Sequence, residues 1–269
     1  MWLDKQRTLT GSDDSSTDKE FMTTLAKGLA VLGAFGGQRP SMTLSEAAGV
    51  AGLSRATARR VLRTLSALGY VVQHDRQFFL APRILELGFG FLSTQSWINQ
   101  AEPLMKELSA FAKEACSAAV LQETEIVFVS RILATNRIMS TTLAIGSRLP
   151  AFHTSLGRAQ LGFLGDEEIW RRLRSVRIEP YTPSTITDLT ALIDRIRDDR
   201  AQGFSIVDEE LERGLRSIAV PIVTRSGACV AAIDLSAQSN RTTRNEMRDF
   251  FLPRLRSVAS QISHSLAEG

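Results

Sequence analysis

Cysteine is nearly absent: the 269 residues hold only Cys116 and Cys229. They stand far apart and without metal-ligand spacing, which fits a reducing cytoplasm with each thiol in a packing role. Long apolar runs are missing too. No stretch approaches the length of a membrane span, and the first twenty residues are polar and mixed in charge, unlike a secretory leader. No membrane partner is expected. The chain also lacks a Gly-x-Ser-x-Gly elbow, a phosphate-cradling glycine loop and a metal-ligand cluster. His153 and Ser155 stand two apart, which does not bring a base within reach of a nucleophile. We expect no enzyme, no catalytic residue, no metal and no cofactor. Internal repeats are lacking as well.

What is present begins at Thr43. Thr43-Leu44-Ser45-Glu46 reads as a capping box, in which hydroxyl and carboxylate satisfy the free N–H groups that open a helix. Gly52 suits the left-handed residue that ends it, and Ser54 can cap a second helix. There Ala58, Val61, Leu62 and Leu65 recur at i, i+3, i+4 and i+7, one apolar stripe. Ala56, Arg60 and Arg63 point away from it, with Arg59 on a flank. Gly69 then stops the chain, Tyr70-Val71-Val72 opens a strand, His74-Asp75-Arg76-Gln77 forms a tip without glycine, and Phe78-Phe79-Leu80 returns. A helix, a short turn, an arginine-fronted helix and a hairpin outline a winged helix-turn-helix, with the second helix shaped for a major groove. An earlier helix spans roughly Thr23 to Phe35, with Leu25, Leu29 and Leu32 on one face.

Charge follows the same outline. From Phe21 to Arg83 eight basic residues face two acidic ones, +6 in a chain whose total is +3. The remainder is therefore −3. A local cationic patch on a nearly balanced chain marks a polyanion site. The residues expected at double-stranded DNA are Lys27, Ser54, Arg55, Ala56, Thr57, Arg59, Arg60, Arg63 and Arg76.

Length suggests two domains. We expect a disordered tail over 1–20, with Gly11 to Ser16 its most polar run, a winged helix-turn-helix over 21–81, a linker helix over 82–98 and a second domain over 99–269. Ile84, Leu87, Gly88, Phe91 and Leu92 make the linker too apolar for a solvated connector, so it should meet a second copy or the second domain. Two copies would present two recognition helices to an inverted repeat. Beyond it, a helix near Ala101–Ala115 precedes strands at Ala118–Gln122, Ile126–Arg131 and Arg137–Leu143. A helix from about Ser155 to Leu164 follows, then one from Thr187-Asp188 to Gly203 with Leu189, Leu192, Ile193 and Ile196 buried. Strands at Ser205–Val207, Ser217–Val223 and Cys229–Ser236 follow, with a closing helix to about Leu266 that Pro253 should bend or delay. Helices interleaved with an antiparallel sheet make an α+β domain.

Three polar runs interrupt this apolar background: Gly146 to Arg158, Val207 to Ser217, and Asp234-Leu235-Ser236. The first leads into a helix start, the second is an acidic turn, and the third ends a very apolar strand. Singly, each is compatible with an ordinary surface.

Taken with the helix-turn-helix and the linker, these runs resemble the IclR family of bacterial transcription regulators. The wording Gly-Ser-Arg-Leu-Pro-Ala-Phe-His-Thr-Ser-Leu-Gly-Arg and Val-Asp-Glu-Glu-Leu-Glu-Arg-Gly-Leu-Arg-Ser is similar to the β-ketoadipate-pathway branch, the PcaR/PobR-type regulators of protocatechuate and 4-hydroxybenzoate breakdown. The resemblance covers Phe21 to Leu266. It implies a GAF-like effector domain that binds a small carboxylic acid, a homodimer or a dimer of dimers, an operator, and RNA polymerase where the regulator is an activator. Carried onto this chain, the effector residues are Thr154, Ser155, Gly157, Arg158, Asp208, Glu209, Arg216, Ser217, Asp234 and Ser236, with Arg158 or Arg216 as bidentate partner of the carboxylate. Val207 stands where relatives that sense short keto-acids carry a carboxylate, so an aromatic or longer effector is expected. A non-aromatic carboxylic acid and a DNA-binding protein without a ligand are the alternatives.

Overall fold

The computed structural model describes residues 20–36, 39–134 and 143–266. The expected tail, save Glu20, and the expected strand at Arg137–Leu143, save Leu143, fall outside them. The chain divides into two compact units, residues 1–93 and 94–269.

The first unit holds α1 (Thr23–Gly33), β1 (Ser41–Thr43), α2 (Leu44–Val50), α3 (Arg55–Ala67), β2 (Val71–His74), β3 (Gln77–Leu80) and α4 (Leu85–Thr94), whose last residue crosses the division. The local signals act as read. Thr43 and Glu46 form the capping box of α2, Gly52 takes φ +64°, and the Ser54 hydroxyl accepts from Thr57 N–H at 3.2 Å. Ala58, Val61, Leu62 and Leu65 are the buried residues of α3. All but Ala58 join Val31, Phe35, Met42, Ala47 and Val71 in one core cluster. The hairpin turns in two residues, Asp75 supplying the positive φ of 53° that glycine would usually supply. Short β1, unexpected from sequence, pairs with β3 on the side away from β2.

Two expectations shift. α1 buries Val31, while Leu25 and Leu29 are 58 % and 50 % exposed. The linker helix is α4, shorter than expected and preceded by a tight turn at Pro82–Ile84; it contains no buried residue.

The second unit opens with α5 (Ser96–Ala112), which starts five residues before the expected Ala101 and ends at Lys113 in the left-handed conformation. It continues through β4 (Ala115–Gln122), β5 (Glu125–Ile132), β6 (Arg148–Pro150), α6 (Ser155–Leu161), α7 (Asp166–Leu173), α8 (Leu189–Gln202), β7 (Ser205–Asp208), β8 (Leu215–Val223), β9 (Cys229–Gln238), α9 (Arg244–Glu246) and α10 (Leu252–Ser265). Pro253 sits in the first turn of α10, after a π-helical stretch at Met247–Phe251, so it delays the helix as expected. The strands form one antiparallel sheet in the order β6-β5-β4-β9-β8-β7. α5 and α10 pack on each other and on the sheet, and α6 packs on β4, β7, β8 and β9. Among the described residues no helix is long and apolar enough to cross a membrane.

Candidate functional sites

The nucleic-acid face comes directly from the periodicity of α3. With its apolar stripe buried, Arg55, Ala56, Arg59, Arg60 and Arg63 are exposed, as are Ser54 before it and Arg76 at the hairpin tip; Thr57 is half-buried. Lys27 is exposed on α1. Among the described residues no carboxylate pairs with these cations, so their charge is available to a polyanion. Glu46, the acidic residue that precedes α3 in the sequence, is engaged in its capping box.

The second site is a cavity over one face of the six-stranded sheet. It leaves about 70 Å³ open to water-molecule centres, room for several waters. Side chains alternate across a strand, so cross-strand register decides which reach it. Ser117 on β4 lies opposite Asp234 on β9 and Arg131 on β5, and Ser217 on β8 lies opposite Ser236 on β9. All five line the cavity. A bulge between Ala118 and Ala119 shifts the β4–β5 register, so Phe128 and Arg131, three apart, share that face; the guanidinium lies 5.7 Å from the ring centroid. The rest of the wall comes from Ile126, Leu143, Leu149, the His153–Leu156 segment, Val207 and the turn carrying Leu211, Glu212 and Leu215.

The Asp234 carboxylate and the serines around it are held firmly. Asp234 accepts from Ser117 N–H at 3.0 Å and from the Ser236 hydroxyl at 2.8 Å, and the Ser155 hydroxyl donates to Ser217 at 2.8 Å. Burial lifts the Asp234 carboxyl to about 6, against the opposing pull of Ser236, Arg131 and Ser117. Burial first, and then the charge of Arg158, press His153 down to about 3. That imidazole is fully buried, its two nitrogens lack hydrogen-bond partners, and its ring meets those of Phe152 and Tyr181 edge-on at 4.6 and 5.5 Å. Arg131 Nε is likewise buried without a partner.

Of the ten effector residues read from the sequence, Thr154, Ser155, Ser217, Asp234 and Ser236 line this cavity; Gly157, Arg158, Asp208, Glu209 and Arg216 do not. Each of the five has another engagement. A Cβ on Gly157 would stand 2.2 Å from the Ala151 carbonyl oxygen, so the glycine serves close packing of α6. Arg158 is fully buried and donates to both carboxylate oxygens of Glu210, at 2.8 and 2.5 Å, and to the Phe152 carbonyl at 2.8 Å. Arg216 forks onto Asp208 at 2.8 and 2.9 Å and reaches the carbonyls of Ser239 and Thr242. Glu209, at φ +58°, accepts from the Ser239 hydroxyl. Arg158 and Arg216 are thus already paired, and Arg131 is the cation among the described residues of the cavity wall. Sequence reading passed over Arg131, Ser117 and Phe128; only strand register could have picked them out.

A larger hollow of about 350 Å³ lies between the 159–165 and 199–204 segments. Its charged groups are satisfied: Arg200 by Asp166 and the Leu164 carbonyl, Asp199 by Ser205, Gln202 and Arg195. Among the described residues it holds no buried polar side-chain atom without a partner, unlike the first cavity.

Comparison with known proteins converges on one group. Residues 24–75 match the IclR helix-turn-helix domain and residues 89–264 the C-terminal domain of the bacterial transcriptional regulator IclR. The Pca regulon regulatory protein of Pseudomonas putida is 37% identical over 93% of this chain and 86% of its own. A solved structure of a candidate transcriptional regulator from Rhodococcus sp. RHA1 superposes with a TM-score of 0.79 at 40% identity, covering 91% of this chain and 98% of that one. An IclR homologue from Microbacterium hydrocarbonoxydans, solved in complex with 4-hydroxybenzoate, gives 0.78 at 25%, covering 90% and 98%. With an arginine-fronted recognition helix, a polar-floored cavity and both domain profiles matched in order, the chain belongs to the IclR family of bacterial transcriptional regulators.

Proposed function

We propose that this regulator binds its operator through α3 and is controlled by a hydroxylated aromatic carboxylic acid held in the cavity over the sheet. The observation that carries the reading is the composition of that cavity. Apolar walls from Ile126, Phe128, Leu149, Leu156, Val207 and Leu215 enclose a floor of Ser117, Arg131, Ser217, Asp234 and Ser236. A ring suits the walls, and ionised and hydroxyl substituents suit the floor. The 4-hydroxybenzoate complex of the Microbacterium relative supports the same chemistry. Val207, apolar and buried, offers nothing to a short keto-acid.

At the operator, Arg55, Thr57, Arg59 and Arg60 take base edges or phosphates, Arg63 and Arg76 take phosphates, and Ser54, Ala56 and Lys27 fix the approach of the helix. Exposed Leu25 and Leu29 on α1, with Leu85, Leu87 and Phe89 on α4 at 54–72 % exposure, support burial against a second copy. A homodimer presents two recognition helices to an inverted repeat, and a dimer of dimers presents four. Effector binding then changes the relative stability of two domain arrangements, which alters operator affinity or contact with RNA polymerase. Such a protein works in the cytoplasm.

Thermal unfolding with 4-hydroxybenzoate, protocatechuate and pyruvate tests the proposal. A ligand at a hundred times its Kd adds about 2.7 kcal/mol to the folded state, a rise of about 5–10 °C for a domain of this size. An aromatic hydroxy acid should give that rise and pyruvate should not. An equal response to pyruvate, or no response to any of the three, would contradict it.

A further inference from the structure

Arg131 is the one cation among the described residues of the cavity wall. Its Nε is buried without a hydrogen-bond partner, and its guanidinium is held over Phe128. A buried N–H of a charged group is costly to leave unpaired, so this arrangement is complete only when an acceptor arrives. Register sets Arg131, Ser117 and Asp234 in one row across β5, β4 and β9. The acceptor that reaches Arg131 therefore enters a space already holding the Asp234 carboxyl.

We infer that Arg131 anchors the effector's carboxylate and that Asp234 takes up a proton as it does so, coupling effector binding to proton uptake. The inference rests on the proposed effector class. Two carboxylates beside one guanidinium leave an excess negative charge in a buried space, and one proton removes it. The groups around Asp234 give no other relief. Arg131 is the cation on β5; on β4 the Cys116 thiol stays protonated, raised by burial and by Asp234 itself. β8 contributes the uncharged Ser217 and Ala219 opposite β9. From the α6 side His153 is neutral, and the 209–214 turn adds Glu212, a further carboxylate. Asp234 already titrates near 6 in the free protein, pushed up by burial, so it is about nine-tenths ionised at pH 7 and has a proton site to fill. The proton comes from solvent and goes to a carboxylate oxygen of Asp234; no other bond changes.

The test is titration calorimetry of the full chain with 4-hydroxybenzoate at pH 7, in buffers of different ionisation enthalpy, with affinity followed from pH 6 to 8. The ligand carboxyl is ionised throughout. We expect uptake of about one proton and an affinity that weakens about fiftyfold from pH 6 to pH 8. Asp234→Asn should bind with no proton exchange and no such pH dependence, as tightly at pH 8 as the parent at pH 6. Arg131→Met should weaken binding more than about a hundredfold at every pH, with partial rescue by Arg131→Lys. Binding by the parent without proton exchange, or unaltered binding by Arg131→Met, would overturn this inference and leave the effector class standing. No heat with 4-hydroxybenzoate, protocatechuate or benzoate would overturn both. The calorimetry of the parent protein decides the matter even if a variant fails to fold.

Discussion

Arg158 offers the sharpest perturbation of the effector domain. Its guanidinium is entirely withdrawn from solvent, forks onto Glu210 and donates to the Phe152 carbonyl. Substitution by alanine strands Glu210 as an unpaired carboxylate that is itself only 7 % exposed. Breaking a buried pair from one side costs about 3–5 kcal/mol. For a domain of this size each kcal/mol lowers Tm by about 2–4 °C, so Arg158→Ala should melt about 6–20 °C lower. Replacing both partners, Arg158→Met with Glu210→Leu, removes the stranded charge and fills the space with apolar atoms. That pair should regain most of the loss, because a buried ion pair is often no more stable than apolar groups of its size. Urea unfolding of the full chain and both variants measures this directly. Since Arg158 lies off the cavity wall, the double variant should also keep its thermal response to the effector. A single variant losing under about 1 kcal/mol, or a double variant as unstable as the single, would refute the reasoning.

Other perturbations follow from the same geometry. Gly157→Ala drives a Cβ to 2.2 Å from the Ala151 oxygen and 2.3 Å from its Cα. The obstacle is backbone, so the loss of about 1–3 kcal/mol or more typical of overpacking outweighs alanine's helix preference, and an unshifted melt would argue against it. His153 and Asp234 should titrate stability in opposite senses. The depressed imidazole removes stability as pH falls from 6.5 towards about 3, because only the unfolded state gains the proton. The raised carboxyl adds stability as pH falls from about 6 towards 3.8, because the folded state binds its proton first. Each contributes a slope of about 1.4 kcal/mol per pH unit. Between pH 6 and 3.8 the two offset each other, so relative to the parent His153→Phe should gain stability as pH falls and Asp234→Asn should lose it; parallel stability curves from pH 4 to 6.5 would rule this out. Arg60→Ala should remove about 1–3 kcal/mol from operator binding if it reads a base, or lower the salt slope by about one if it holds a phosphate. Gel shifts unchanged on specific and random DNA would remove Arg60 from the interface.

The helix-turn-helix was legible because its signals are local. A capping box three residues wide, a hydroxyl cap on the next turn and an apolar stripe at helical spacing need no distant partner, and α2, α3 and the hairpin formed where Thr43, Ser54 and Gly69 indicated. Leu25 and Leu29 show where periodicity stops. It assigned them to one face, but the interior of the described unit is filled by Val31, Ala34 and Phe35 instead. The cavity was half legible for a related reason. Asp234, Ser236 and Ser217 stand out as polar residues in apolar strands. The partner of Arg158 sits 52 positions away, and no spacing rule announces it. Arg131 was passed over because a cation near a strand end is usually solvated; only pairing with Ser117, and the bulge beside it, turns it inward.

The seam between β4 and β9 has a consequence for synthesis. β4 to β6 come from residues 115–150 and β7 to β9 from residues 205–238, and the two halves join where Ser117 meets Asp234, 117 positions apart. Contacts so remote are slow to form. A nascent chain therefore has no binding hollow until its last strand has left the ribosome and zipped onto the fourth. Any small molecule that grips groups from both halves is a clasp across that join, slowing the local opening through which proteases would find the regulator.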